Sequence, residues 1–154
     1  VLICGGGPDA VPLAAQVRSL GWECVVIDHR PAYADASRFV QGVEVISARP
    51  ESLEQQVELD DISAAMVMSH NLGHDEVYLK QLLKAEPAYV GVLGPTHRRK
   101  RLLEQLGLED APLRGPAGLD IGAELPESIA LSIMAEIHAV LNDRAGQPLV
   151  GGDG

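Results

Sequence analysis

Gly5-Gly6-Gly7-Pro8-Asp9-Ala10 fits the pattern G-x-G-x-x-G/A, with Gly5, Gly7 and Ala10 at the three positions that demand small residues. In that pattern the first glycine permits a tight turn and the second lets phosphate groups approach the backbone. The third small residue lets a helix sit close on the strand before it. Asp28 follows Gly7 by 21 residues, at the end of a second apolar run, where a carboxylate can accept from ribose hydroxyls. Asp9 complicates this chemistry. As N-cap of the first helix its carboxylate would take an amide at the helix tip, and Pro12 offers no N–H there. The tip that normally receives a pyrophosphate is then partly filled, and by a negative charge.

Four further groups of residues follow apolar runs. Asp28 with Arg30 reads either as a ribose clamp with a cation for a phosphate or acidic ring substituent, or as a local ion pair. His70, with Asn71 behind it, reads as a proton carrier or a donor to a ligand oxygen, or as a histidine bonded to nearby backbone. Gly94-Pro95-Thr96 leads into Arg98-Arg99-Lys100-Arg101, four of the twelve Lys and Arg residues of the chain. These are an anion pocket or docking patch with Thr96 as N-cap and co-donor, or a solvated helix face. Gly118-Leu119-Asp120-Ile121-Gly122-Ala123 brings a backbone close to something or is a turn into the last helix. His70, His74 and Asp75 raise a weak metal question, because Gly73 interrupts the spacing. Glu136 and His138 read as surface residues, and no Ser-His-Asp set, Cys-His pair or Walker loop can be assembled.

The elements that must position these groups alternate. Strands are expected over 1–4, 23–27, 43–46, 62–68 and 88–93, and helices over 9–20, 51–59, 75–85, 97–106 and 126–142. The alternation predicts an α/β fold, a Rossmann-like three-layer sandwich around a doubly wound, mainly parallel sheet of order 3-2-1-4-5. A stub within 113–122 gives a possible short sixth strand. Ligands in such a sheet bind beyond the C-terminal strand ends, where the turns Gly5–Asp9, Asp28–Pro31, Ser69–Asn71 and Gly94–Thr96 are expected to converge on one cleft.

The chain has 154 residues, 46% of them hydrophobic, which suits one domain over 1–146 and a frayed tail over 147–154. Its formal net charge of −10 disfavours nucleic acid and anionic membrane as partners. No run is long enough to span a bilayer and no signal peptide is visible, so the expected location is cytoplasmic. Cys4 and Cys24 fall in the first two strands and read as buried small hydrophobes. The opening in mid-strand suggests a piece of a longer chain.

The glycine turn, Val26-Ile27-Asp28-His29-Arg30-Pro31, Val67-Met68-Ser69-His70-Asn71, Tyr89-Val90-Gly91-Val92-Leu93-Gly94 and Gly118 to Ala123 leading to Pro126-Glu127-Ser128-Ile129-Ala130 together resemble the C-terminal Rossmann domain of the XdhC/CoxI family. The likeness covers about residues 1–142. It implies an accessory or maturation factor for molybdenum hydroxylases such as xanthine dehydrogenase. Such a factor binds the molybdenum cofactor (molybdopterin, a phosphorylated pterin, or its nucleotide form) and hands it to the apo-enzyme. It further implies support of sulfuration, with a sulfurtransferase as candidate second partner, and an N-terminal domain carrying a cysteine; the oligomeric state is left open, with a homodimer as one candidate. On that reading Gly5, Gly7, Asp28, Arg30, His70, Asn71, Gly94, Thr96, Arg98 and Asp120 form the cofactor site, with no metal ligands and more chaperone than catalyst. Two local departures are Pro8-Asp9, where many members carry a histidine, and Leu125, where a capping threonine is usual. Two other functions fit the glycine turn: an NAD(P)-binding oxidoreductase fragment and a non-catalytic nucleotide-sensing module.

Overall fold

The structure, a computed structural model, describes residues 1–150. Five parallel strands form one sheet: β1 Leu2–Cys4, β2 Val25–Asp28, β3 Glu44–Ser47, β4 Ala64–Val67 and β5 Tyr89–Val92. Their order is β3-β2-β1-β4-β5, as the alternation predicts. The helices are α1 Ala10–Ser19, α2 Leu53–Gln56, α3 Leu72–Ala85, α4 Thr96–Leu106 and α5 Pro126–Leu141.

The strands are apolar on both faces, so side chains alternate between two cores. Leu2, Cys4, Ala65, Val67, Val90 and Val92 face α3 and α4 and pack with Tyr78, Leu79, Leu82, Leu102 and Leu103. Ile3, Val26, Ala64, Met66 and Tyr89 face α1 and α5 and pack with Leu13, Val17, Ile133 and Ile137. Each fully buried Leu or Ile side chain contributes about 1.5–3 kcal/mol. Cys4 and Cys24 are free and buried within these layers. Burial pushes the Cys4 thiol well up and the Cys24 thiol to about 11, so neither is a ready nucleophile.

Several boundaries differ from the sequence expectation. The weak polar helix over 51–59 is α2 flanked by two single 3₁₀ turns, Pro50–Ser52 and Leu59–Asp61. Its polar sequence gives it too little apolar stripe to continue. α3 begins at Leu72, three residues early, because Asn71 caps it: its Oδ1 accepts from the His74 N–H at 3.0 Å. Gly73 therefore lies inside the helix. The sixth strand is a single parallel bridge between Gly91 and Arg114. The last helix has no side-chain oxygen at its cap residue, Leu125. Instead Ser128 Oγ accepts from the Leu125 N–H at 3.2 Å, the returning half of a capping box. Residues 147–150 form no helix or strand, and the end of the expected tail, 151–154, lies outside the described residues. No helix among the described residues is long and apolar enough to cross a membrane.

Candidate functional site

β1 lies centrally, with β2 on one side and β4 on the other, so the chain reverses direction across the sheet between β1 and β4. The ends of these strands form the rim where α/β sheets bind ligands. Gly5 turns there with φ +117, and a Cβ on it would stand 2.6 Å from the Met68 carbonyl oxygen and 2.8 Å from Ser69 Cα. The first glycine is thus required by the end of β4 crossing it. Gly7 is buried and its carbonyl accepts from the Ala10 N–H at 3.0 Å.

Asp28, 2% exposed, is surrounded by donors. Oδ1 accepts from the Arg30 N–H at 2.8 Å and Arg30 Nε at 3.1 Å; Oδ2 accepts from the Gly6 N–H at 2.8 Å and Arg30 Nη2 at 2.9 Å. Burial pushes its carboxyl pKa upward. The hydrogen bonds from the Arg30 side chain, the Arg30 amide and the Gly6 amide, with the Arg30 charge, outweigh that and hold it below its ordinary value. An acid whose pKa is lower folded than unfolded adds stability above its unfolded value, about 3.9, and loses that contribution as pH falls through the folded value. Urea titrations across acid pH should therefore show wild-type stability falling more steeply below about pH 4 than that of Asp28→Asn. At neutral pH the variant should be less stable by about 2 kcal/mol, since it leaves Arg30 and two amides poorly paired.

Asp9 does not cap α1. No amide reaches its side chain. Oδ2 instead lies 2.6 Å from Nε2 of His70, and Oδ1 is buried without a partner. A charge-assisted bond to the imidazole is stronger than a bond to one amide, and proline at the third helical position removes the alternative donor. His70 reaches Asp9 from a left-handed backbone, φ 61. Its neighbour Asn71 is committed to capping α3. His74 meets His29 edge-on, with ring centroids 4.7 Å apart. Among the described residues no three His, Cys, Asp or Glu side chains converge as a metal site.

The other carboxylate of the rim is Asp75, 1% exposed in the first turn of α3. Oδ1 accepts from the Ser69 amide at 3.1 Å and from the Ser69 hydroxyl; Oδ2 accepts from Arg98 Nη2 at 2.6 Å. Arg98, a quarter exposed, is thereby held in the wall of a hollow of about 260 Å³ with His70, Val67, Leu93 and Gly94. Gly94 has φ +102, and a Cβ there would strike Arg98 Cδ at 2.7 Å. Thr96 is not the N-cap of α4. It is the first helical residue, Pro95 holds the cap position, and no side chain caps the helix. The extended Pro95 shifts the boundary by one residue, and Thr96, an exposed residue, follows directly on Pro95 of the hollow's wall.

A larger hollow of about 570 Å³ adjoins it, sharing Leu93, Gly94 and Pro95. Its outer wall is the loop carrying Asp120, which is exposed. Glu136, expected on the surface, anchors that loop: Oε1 accepts from the Tyr89 hydroxyl at 2.6 Å and from the Gly118 N–H at 3.0 Å. Ser132 and Leu119 also exchange hydrogen bonds.

Of the ten expected site residues, His70, Gly94 and Arg98 line the smaller hollow and Gly94 and Asp120 the larger, while Gly5, Gly7, Asp28, Arg30, Asn71 and Thr96 line neither. Ser69 had no role in the sequence expectation, Asp75 entered it only through a weak metal question, and Glu136 only as a surface residue. A signal for Asp75 exists: it shares the stripe Asp75, Tyr78, Leu79, Leu82, so an acid lies on the buried face of α3.

The chain matches the family model described as the XdhC Rossmann domain over residues 1–137. The chain belongs to the XdhC Rossmann domain family. It is 38% identical over 137 residues to a Bacillus subtilis strain 168 protein whose name makes it a probable subunit of xanthine dehydrogenase, covering 89% of this chain and 41% of that protein. It is 32% identical over 146 residues to the molybdenum cofactor insertion chaperone PaoD of Escherichia coli K12, covering 91% of this chain and 39% of that one. A crystal structure described as a xanthine dehydrogenase from Bacillus halodurans superposes with a TM-score of 0.83 at 32% identity, over 99% of this chain and 44% of that chain. This XdhC domain therefore spans well under half the length of these relatives.

Proposed function

We propose that this XdhC domain is the cofactor-holding part of an accessory factor that carries molybdenum cofactor to an apo molybdenum hydroxylase of the xanthine dehydrogenase type. The observation that carries the reading is Arg98, set by buried Asp75 into a hollow at the strand ends beside the start of α4. A phosphorylated pterin offers a dianion at one end and ring N–H donors at the other. Arg98, the Thr96 hydroxyl and the first amides of α4 suit the phosphate. The exposed Asp120 carboxylate, in the loop that walls the larger hollow, is an acceptor that suits ring N–H groups. The larger hollow beside Gly94 and Pro95 leaves room for a nucleotide form.

The metal is cargo, held by the pterin's own dithiolene, so the domain needs no ligand set for it. Neither cysteine of this chain suits sulfur handling, since both are buried with raised thiol pKa values. Sulfuration therefore falls to a separate sulfurtransferase and to residues outside this domain. Homodimer formation belongs to the same proposal. The named relatives, a molybdenum cofactor insertion chaperone and a protein assigned to xanthine dehydrogenase, support the choice of cargo and recipient. Against the NAD(P) reading stand the filled Asp28 carboxylate and the acid at the tip of α1.

The test is to isolate the protein from molybdate-fed cells and oxidise the extract. The fluorescent oxidised pterin should accompany wild-type protein in near-stoichiometric amount and fall by about tenfold with Arg98→Ala, the loss of one charge-assisted contact. Absence of pterin from the wild-type protein would count against the cargo. Equal retention by the variant would count against this hollow.

A further inference from the structure

The geometry points to Arg30 as a specificity residue that closes the ribose position, so that this domain keeps a dinucleotide-type glycine turn yet refuses adenosine dinucleotides. In a dinucleotide-binding βαβ unit the acid ending β2 must offer free carboxylate oxygens to two ribose hydroxyls. A carboxylate has room for about four donors. Here Asp28 receives four, three of them from Arg30 and one from Gly6. No acceptor capacity remains for a sugar.

The cover extends over the turn itself. The Tyr33 carbonyl oxygen stands 2.9 Å from where a Cβ on Gly6 would lie, so the loop after β2 rests directly on the middle glycine. Arg38 Nη1 bonds both the Gly6 and the Tyr33 carbonyl oxygens and ties that loop down. The Tyr33 ring packs beneath two guanidinium groups, Arg30 at 3.9 Å and Arg38 at 5.0 Å from its centroid. Arg30 is thus fixed twice, by Asp28 in front and by Tyr33 below. Anion binding is better served at β5–α4, where Arg98 is set by Asp75.

This inference rests on Asp28, Gly6 and Tyr33 and not on the identity of the cargo, so the two readings fail separately. The probes are NADH and NADPH, followed by nicotinamide fluorescence against wild type, Arg30→Ala and Arg30→Gln, with circular dichroism to establish folding. Wild type should show no saturable signal to about 1 mM of either, and either folded variant should gain NADH affinity by about tenfold or more. Arg30→Gln keeps the stem and one donor to Asp28, so it decides the matter where Arg30→Ala does not fold. The wild-type chain gives a reading of its own: the Gly6 amide resonance should stay in place when NADH is added. Micromolar NADH binding by wild type, or movement of that resonance, would overturn the proposal. So would NADPH binding by wild type, which would make Arg30 a ligand for a 2′-phosphate, and so would a folded variant with no gain.

Discussion

Asp75→Asn should lower unfolding free energy by about 3 kcal/mol and release Arg98 from the wall of the hollow. The carboxylate is almost fully buried and holds three donors, two from Ser69 and one from Arg98. An amide can accept through only one of its two heteroatoms. Whichever way it turns, its NH₂ group faces either Arg98 or the Ser69 pair. The loss is large because a charge or donor is left desolvated, not because an ion pair is intrinsically strong. For a domain of this size about 3 kcal/mol corresponds to a fall in Tm of roughly 6–12 °C. A double-mutant cycle with Arg98→Met separates the two effects. If Asp75 acts through Arg98, the coupling energy should be about 1 kcal/mol or more. Additive losses would mean that Asp75 serves only Ser69.

Gly5→Ala should be worse. At φ +117 any side chain is strained, at about 1–3 kcal/mol. Here the new Cβ would also lie 2.6 Å from the Met68 carbonyl oxygen and 2.8 Å from Ser69 Cα, both backbone atoms that cannot rotate away. Relief requires the end of β4 to move off β1, and that end carries Ser69 and His70. The expected loss is about 4 kcal/mol or more, a large part of the stability of a typical domain. Gly107→Ala is the control. It also has positive φ, +67, but open space around it, so it should show only the backbone penalty of about 1–2 kcal/mol. Equal losses at the two glycines, measured by urea unfolding, would remove the clash from the explanation.

The fold was legible because its signals are local. Apolar runs of four or five residues, helical stripes and the G-x-G-x-x-A turn each act over a short stretch of chain, and their alternation fixes the parallel sheet. Segments without such a stripe were less legible, as with the polar stretch that forms α2 and two 3₁₀ turns. The rim was legible in position and less so in partnership. Asp28 and Arg30 lie two residues apart, and their pairing could be named as one of two readings. Asp9 and His70 are 61 residues apart, and Asp75 and Arg98 are 23 apart. Only the closing of the sheet puts these together. A general rule gives Asp9 to the amides of α1, and a histidine arriving from β4 takes it instead. Thr96 is displaced from the cap position for a smaller reason: extended Pro95 takes that position and Thr96 becomes the first helical residue.

The central claim is that the hollow walled by His70, Gly94 and Arg98 holds a phosphorylated pterin. The most direct measurement is amide chemical-shift mapping of the isotope-labelled protein as molybdopterin is added under anaerobic conditions. The expected result is movement concentrated at His70, Gly94, Thr96, His97 and Arg98, with the Gly6 and Arg30 amides little changed. Shifts confined to the opposite, N-terminal edge of the sheet, or no shifts at saturating ligand, would contradict it.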